Sequence, residues 1–274
     1  MKFQEQVKEK MRIYRKKNLE ISKPGIFRYK GEELLKEHIL PLKYRKLNII
    51  ETYRKEFYLS QESKINYHRY FHHLNSSQAL CINLFFPLIF ENKLNKLSEI
   101  LKIPISSPVK SCFEKESDIE IGNRRKTNFD FFMQLPGETK IYFEIKYTET
   151  EFGKTKDDSE HRAKFKETYE PLLKNNHFIK KEYHEMSSFF DQYQIMRNIC
   201  HIDNQSHVVF VYPVENKKIH QQALFAQDQI LTEKGQRKFQ IVPIQTISNG
   251  ILENTTSGKM QKHYTAFNEK YLTI

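Results

Sequence analysis

Hydrophobic and polar residues are arranged through the middle of the chain in segments whose length and composition predict β-strands. Three of these segments follow one another closely, namely SPVKSCFEKES (107–117), TNFDFFMQL (127–135) and KIYFEIKYT (140–148). The apolar run HVVFVYPV (207–214) is typical of a strand covered on both faces, and QIVPIQTI (240–247) predicts a further strand.

Helical patterns lie before, between and after these strands. Helices are expected over residues 76–101, 184–201, 217–237 and 258–272. Ser76 or Ser77 is placed to cap the first of them, and Pro87 is expected to kink or break it. The order of helix, three strands, helix, strand, helix and strand predicts an α/β fold in which helices flank a mixed central sheet.

The first 70 residues have a different pattern. They are strongly charged and favour helices and loops, with the segment SKPG (22–25) separating two helical stretches. We therefore expect a helical N-terminal region over residues 1–70, packed on a core that covers residues 71–274.

Asp130, Glu144 and Lys146 interrupt the otherwise apolar second and third strands. Because side chains alternate between the two faces of a strand, Glu144 and Lys146 share one face. If residues 136–138 (PGE) form a three-residue loop, Asp130 lies opposite Glu144, with the Cβ atoms about 5 Å apart. On the second strand, the same alternation predicts a separate apolar face of Phe129, Phe131 and Met133.

Two carboxylates at this distance repel each other unless a cation lies between them or one of them is protonated. A pair of oxygen ligands suits a hard cation such as Mg²⁺, which keeps several waters and accepts phosphate oxygens as further ligands. Lys146, on the same face, could orient or deprotonate a water molecule or stabilise developing phosphate charge. The alternative is an exposed hairpin with a surface Glu–Lys pair.

Composition favours a polyanionic partner. The 274 residues include 45 Lys and Arg against 34 Asp and Glu, which gives a net charge of +11 and a pI of about 9.3. Nucleic acid and an acidic membrane surface both fit this charge, and a soluble basic protein without such a partner is the alternative. The N-terminal sequence lacks the apolar run of a signal peptide, and LFFPLIF (84–90) is too short to span a bilayer. We therefore expect a cytoplasmic protein with no membrane partner.

The spacing D-x(13)-E-x-K of Asp130, Glu144 and Lys146 resembles the motif of the PD-(D/E)xK nuclease superfamily. The order of elements resembles that superfamily's restriction-endonuclease-like core, over roughly residues 75–215. The segments SSQALCINLF (76–85) and FEIKYTETEFG (143–153) are similar to a group of bacterial chains regarded as restriction endonucleases. Phe129 departs from the motif, because proline often precedes the first aspartate there.

The resemblance implies a metal site and a catalytic lysine. By analogy, Asp130, Glu144 and the backbone carbonyl of Ile145 would hold Mg²⁺, with Mn²⁺ as an alternative ion, and Lys146 would be the catalytic lysine. Many members use a further acid from the first helix, and Glu91 is the best placed for it by sequence. Glu114 and Glu116 on the preceding strand are rivals for that position, and a solvated helix residue is the alternative for Glu91.

The helix after the hairpin is expected to support the site. Its apolar stripe contains Arg197 and has Gln194 at its edge, and polar groups at the margin of a buried face need partners. In the superfamily a glutamine on the corresponding helix often supports the active site, and Gln194 is our choice, with simple packing as the alternative. Arg197 is a candidate DNA contact.

A basic loop precedes the strand of Asp130. Arg124, Arg125 and Lys126 could hold a phosphate backbone beside a metal site, and a solvated loop is the alternative. Elsewhere, His68 and His72 have the spacing of zinc ligands on a helix, but no third ligand is evident, and packing or phosphate contact is the competing interpretation.

These observations predict a Mg²⁺-dependent endonuclease that hydrolyses DNA phosphodiester bonds, and the resemblance implies a role in restriction or defence against foreign DNA. The alternatives are a non-catalytic DNA-binding protein on a nuclease-like scaffold, and a repair or RNA nuclease. A homodimer would suit double-strand cleavage. No GxGxxG, P-loop, GxSxG or HExxH pattern occurs, which argues against dinucleotide, NTP, serine-hydrolase and metalloprotease functions.

Overall fold

The computed structural model describes residues 2–121, 125–256 and 258–272. The chain divides into two compact units, of which the first consists of Met1–Ser107 together with Pro243–Ile274. The second unit, Pro108–Val242, contains the predicted hairpin. The expected division at residue 70 into a helical region and a core stays a prediction, and the compact units have other bounds.

Helices and strands follow one another in the order that the sequence predicts for the core. The helices within the described residues are α1 Phe3–Lys17, α2 Glu51–Gln61, α3 Ser77–Phe90, α4 Leu97–Leu101, α5 Ser159–Lys164, α6 Glu170–Lys174, α7 Met186–Asp191, α8 Tyr193–Ile199, α9 Lys217–Phe225, α10 Glu233–Gln236, α11 Ile244–Glu253 and α12 Gly258–Tyr271. The strands are β1 Gly25–Tyr29, β2 Glu32–Lys36, β3 Lys110–Glu116, β4 Asn128–Gln134, β5 Lys140–Ile145, β6 Ser206–Tyr212 and β7 Phe239–Pro243. None of these helices has the length and apolar content needed to cross a bilayer.

In the first unit, α3 is a buried helix with the predicted cap. The Ser76 side chain accepts a hydrogen bond from the N–H of Ala79 at 3.3 Å, which satisfies one of the free donors of the first turn. Pro87 lies inside the helix, which continues to Phe90. The segment 76–101, which was predicted as one helix, contains two helices, α3 and α4. Between them the chain has a positive φ of 54° at Asn92.

The first unit also contains an antiparallel hairpin of β1 and β2, where helices and loops were expected. Lys30 and Gly31 form its two-residue turn, and both have positive φ, as the tight turns that suit hairpins require. Most side chains of both strands are exposed, so the alternation that predicts a half-buried strand is missing from the sequence.

The second unit is built on a five-stranded mixed sheet of order β3-β4-β5-β6-β7. β4 pairs antiparallel with β3 and β5, whereas β6 pairs parallel with β5. The predicted α/β fold with a mixed sheet and helices is confirmed. The predicted strand over 240–247 is too long, because β7 ends at Pro243 and α11 begins at Ile244. Pro243 has extended φ and ψ and lacks an N–H, which suits the residue before a helix.

Helices α6 to α9 cover one face of this sheet. Their apolar residues pack with Phe132, Tyr142 and Phe210 in one buried cluster. The predicted helix over 184–201 is broken at Gln192, where φ and ψ are −119° and 34°, and the break separates α7 from α8. α8 thereby starts near the end of β5, the strand of Glu144, and Gln194 in its first turn reaches Glu144.

Candidate active site

The β4–β5 turn is the three-residue loop that the sequence predicts. The N–H of Leu135 donates to the carbonyl of Thr139 at 2.8 Å, and Gly137 takes a positive φ of 77° in the loop. The strands then pair in the expected register as far as Phe131 and Phe143. Continued by one step, this register would bring the next two residues opposite each other, and both carry carboxylates.

These carboxylates belong to Asp130 and Glu144. Here the Asp130 side chain takes the place of a backbone hydrogen-bond acceptor, because Asp130 Oδ2 accepts a hydrogen bond from the N–H of Ile145 at 2.7 Å. The bond holds the Asp130 carboxylate against Ile145, the last residue of β5, which lies between Glu144 and Lys146 in the sequence.

β4 changes direction at Asp130. The rings of Phe129 and Phe132 both contact the ring of Tyr142, with centroids 4.7 and 5.0 Å apart, whereas the Phe131 ring packs on that of Phe143. Phe129 and Phe131 therefore lie on different faces of the sheet, and the expectation that they share one is wrong. The break in alternation turns Asp130 away from both faces and towards the neighbouring strand.

Glu144, Lys146 and Gln194 form a closed set of hydrogen bonds. Lys146 Nζ donates to Glu144 Oε1 at 2.8 Å and to Gln194 Oε1 at 3.1 Å. Gln194 Nε2 donates to the same Glu144 oxygen at 2.7 Å. Glu144 and Lys146 are only 4% and 8% exposed. The second oxygen of Glu144 has no hydrogen bond within the described residues, so it can serve as a ligand.

Negative charge exceeds positive charge around Asp130. Burial raises the pKa of Asp130, and the carboxylates of Glu144 and Glu114 raise it further. Lys146 and the N–H of Ile145 act to lower the pKa of Asp130, but they offset only part of this increase. For Lys146, burial alone would lower the pKa, but the carboxylates of Glu144 and Glu149 more than offset this effect and its pKa is raised. The site therefore holds one stable cation among several repelling carboxylates.

The loop after β5 positions Gln194. Asn216 Nδ2 donates to the carbonyls of Tyr147 and Glu149 at 3.0 and 2.9 Å, which fixes the start of the loop. At its other end, the carbonyl of Gly153 accepts a hydrogen bond from the N–H of Gln194 at 3.2 Å. Gly153 has a φ of 108°, a conformation that favours glycine, so the loop path depends on this residue.

The donor set around Asp130 fits a magnesium ion that is held partly by protein and partly by substrate. Two carboxylates and the adjacent carbonyl of Ile145 are oxygen ligands, and Mg²⁺ takes its remaining ligands readily from water and phosphate. Within residues 2–121, 125–256 and 258–272, no three or more His, Cys, Asp and Glu side chains are grouped to hold a metal ion. The histidines around His68 and His72 thus form no such group.

A second buried polar cluster, which the sequence did not reveal, lies at the start of β4. Glu120 accepts hydrogen bonds from the N–H and the hydroxyl of Thr127, the former at 3.1 Å. Lys164 Nζ lies 3.5 Å and Arg197 Nη2 3.8 Å from Glu120 Oε2. Arg197 Nε also donates to the Thr127 hydroxyl at 3.0 Å. We call these four residues the Glu120 cluster; they hold the base of the basic loop.

The remaining predicted site residues make no hydrogen bond or ion pair with the carboxylate pair within the part of the chain that the structure describes, or lie outside that part. Glu91 belongs to the first unit, where its carboxylate accepts a hydrogen bond from the hydroxyl of Tyr53 at 2.8 Å. Arg124 lies outside the described residues. Arg125 is exposed and Lys126 half-buried, at the base of the same loop. The roles of all four, and of Arg197, in metal or DNA binding stay predictions.

The mixed sheet with its helices is the architecture of a restriction-endonuclease-like protein. The chain belongs to the family described as restriction endonuclease associating with ARP, whose family model matches residues 8–272. This match confirms the resemblance to restriction endonucleases and indicates a nuclease-like role. No curated protein and no solved structure matches the chain.

Proposed function

We propose that the chain is a metal-dependent endonuclease that hydrolyses DNA phosphodiester bonds at the β4–β5 hairpin. The observation that carries the proposal is the geometry of Asp130, Glu144 and Lys146. The Asp130 carboxylate accepts a hydrogen bond from the N–H that follows Glu144, and the buried Lys146 donates to the Glu144 carboxylate. Family membership supports a nuclease, and the hairpin is where its chemistry would be carried out.

In this proposal, Asp130, Glu144 and the carbonyl of Ile145 hold Mg²⁺, or Mn²⁺ in its place. The bound ion supplies Lewis-acid stabilisation of the charge that develops on the phosphate. The hydrogen bond from the Ile145 N–H keeps Asp130 in position before the ion binds, and Gln194 does the same for Glu144. The hairpin is therefore preorganised by its own backbone and by α8.

Lys146 has the role of an electrostatic catalyst. An ammonium group carries three N–H donors, and Glu144 and Gln194 accept two of them. The third is available to an oxygen of the substrate phosphate, where a fixed donor stabilises the charge of the transition state. Of the roles that the sequence left open for Lys146, charge stabilisation fits these contacts best.

DNA as the substrate is supported by the net charge of +11, because Lys and Arg contacts to phosphates supply most sequence-independent affinity. Arg125 and Lys126, at the start of β4, are the proposed phosphate contacts next to the site. Restriction or defence against foreign DNA, in the cytoplasm, is the proposed biological role.

Cleavage of plasmid DNA tests the proposal. With Mg²⁺ the wild type should nick or linearise the plasmid, and EDTA should stop it. Lys146→Ala should lower the rate by about 10²–10³-fold, the usual loss for one preorganised donor. Lys140→Ala, at the other end of β5, is the matched control and should cleave like the wild type.

Two outcomes would contradict the proposal. Retained cleavage in both Asp130→Ala and Glu144→Ala would reject the hairpin as the active site. Salt-sensitive DNA binding without cleavage of any substrate, under all metal conditions, would favour a non-catalytic binding protein instead.

A further inference from the structure

A cavity of about 470 Å³ opens beside the hairpin in the second unit. Its walls are the loop of residues 150–154, the end of α7 at Asp191 and Gln192, and one face of α9. This volume falls within the usual range of small-molecule sites, about 300–1,000 Å³. We call it the loop pocket.

The loop pocket shares two wall residues with the candidate active site. The ring of Phe152 lies 5.4 Å from Lys146 Nζ. A Cβ atom at Gly153 would lie 3.7 Å from Gln194 Oε1. A group in the pocket would therefore lie within one nucleotide of a phosphate held at Lys146, since neighbouring phosphates and bases of a strand are only several ångströms apart.

Three carboxamides, Gln192, Gln221 and Gln222, belong to the polar lining. Gln222 Oε1 accepts a hydrogen bond from the N–H of Phe152 at 2.9 Å, which leaves its amide nitrogen as a donor. The side chains of Gln192 and Gln221 make no hydrogen bond within the described residues, so both their donors and their acceptors are available. Glu151 and Asp191 add acceptors at the same pocket.

One aromatic ring lies at the edge of the pocket. Phe225, on α9, is 38% exposed although it is a large apolar side chain. Its ring meets that of Tyr183 edge-on, with the centroids 6.2 Å apart. An exposed ring supported in this way offers a face on which a planar group can stack.

This lining suits a nucleobase better than a phosphate, because its two carboxylates offset the charge of its two lysines. Two carboxylates disfavour an anion inside the pocket, whereas carboxamides and carboxylates are the groups that hydrogen-bond base edges. Lys154 and Lys218 are exposed, where they can contact the phosphates on either side. Base edges inside a duplex are read by elements that protrude into a groove, so a concave pocket can take only a base that is out of the stack.

We propose that the loop pocket binds an unstacked nucleobase of the substrate strand, next to the phosphate to be cleaved. Phe225 stacks on the base, and Gln192 and Gln221 bind its edge and select among bases. This inference rests on the proposed nuclease function and adds a specificity-determining site to it.

Photocrosslinking tests the inference without cleavage. DNA strands that carry 5-iododeoxyuridine at successive positions, single-stranded and in duplex, are irradiated with the full chain in EDTA, and the adducts are mapped by mass spectrometry. We expect one position to form an adduct on the peptide of Phe225. Phe225→Leu should lose this adduct, while Leu224→Ala, a neighbour of similar exposure outside the pocket, should keep it.

Affinity gives the second measurement. Phe225→Ala should weaken binding of the crosslinking strand about tenfold, as expected for one lost base–aromatic stack. Leu224→Ala should change it by less than about twofold. Circular dichroism of both variants confirms that each is folded.

The experiments distinguish failure of the loop pocket from failure of the proposed nuclease function. Plasmid cleavage by the wild type, with adducts only on other peptides or an unchanged affinity in Phe225→Ala, would overturn the loop pocket and leave the nuclease intact. Absence of both DNA binding and cleavage would overturn the proposed function and the pocket with it.

Discussion

Glu120 and Glu144 are both almost completely buried carboxylates of the second unit, yet the charges around them are balanced differently. Two cations, Lys164 and Arg197, lie near the single carboxylate of Glu120. At the hairpin, a single lysine pairs with Glu144, and the carboxylates of Glu144 and Asp130 lie close enough to repel each other. The first arrangement is complete with protein groups alone, and the second has an excess of negative charge.

This difference separates a structural cluster from a candidate site. A buried charge whose partners are all present supports the fold, and removing one partner leaves the others uncompensated. A buried excess of like charge costs folding free energy, so its persistence points to a ligand that supplies the missing charge. Both clusters contact β4, and the Glu120 cluster fixes the strand a few residues before Asp130.

The largest effect on stability is expected at the Glu120 cluster, where the buried carboxylate has cationic partners. Glu120→Gln leaves the buried Lys164 and the half-buried Arg197 without their carboxylate, and the free energy of unfolding should fall by about 4 kcal/mol. Urea denaturation followed by circular dichroism measures it. Glu116→Gln, an exposed position at the end of β3, is the control. A loss as small as that of the control would show that Glu120 contributes no net stabilisation.

The second-largest effect is a pH dependence of stability, and it is expected from His201, which lies beside the Glu120 cluster. His201 Nε2 lies 2.7 Å from the hydroxyl of Ser117, and Nδ1 lies 3.0 Å from the carbonyl of Arg197. Burial lowers the pKa of His201 to about 4, from an ordinary value of 6.5. The unfolded chain therefore binds more protons between these values, and stability falls as the pH falls from 6.5 to 4.

Over that pH window, His201 should account for a loss of about 3 kcal/mol in the free energy of unfolding. The measurement compares urea denaturation of the wild type and of His201→Gln at several pH values, and the readout is the difference in slope. Equal slopes in the two proteins would mean that His201 does not titrate differently in the folded and unfolded states.

Sequence reasoning succeeds where local geometry decides the outcome. The length of the β4–β5 loop sets the register of the hairpin, so the pairing of the two strands up to Phe131 and Phe143 could be predicted from the spacing alone. The helical stripe also indicated Gln194, which the structure brings to Glu144 and Lys146. Whether these residues act as proposed is a matter for the cleavage experiment.

Sequence reasoning fails where distant partners decide. Glu120 lies in a segment that resembles a charged loop, and its cationic partners Lys164 and Arg197 lie far along the chain. The turn of Asp130 out of the alternating pattern has no local signal either. The exposed hairpin of β1 and β2 lacks the hydrophobic alternation on which strand prediction depends, although its Lys30–Gly31 turn was a usable clue.

The smallest effect is expected for Asp130→Asn, and it is a gain of stability rather than a loss. It tests most directly whether the hairpin carries more negative charge than its partners neutralise. Asp130→Asn removes one of the repelling carboxylates, while its amide oxygen can still accept the hydrogen bond from Ile145. In EDTA at neutral pH the free energy of unfolding should rise by about 1 kcal/mol, although cleavage is lost.

Because the pKa of Asp130 is raised in the folded protein, the wild type loses stability as the pH rises above the ordinary aspartate value. The gain of the variant should therefore grow from acidic to neutral pH, and Asp228→Asn, an exposed control, should show no such trend. A loss of stability in Asp130→Asn would mean that Asp130, like Glu120, is a carboxylate whose partners are already complete, and that the hairpin has no excess charge for a metal ion to neutralise.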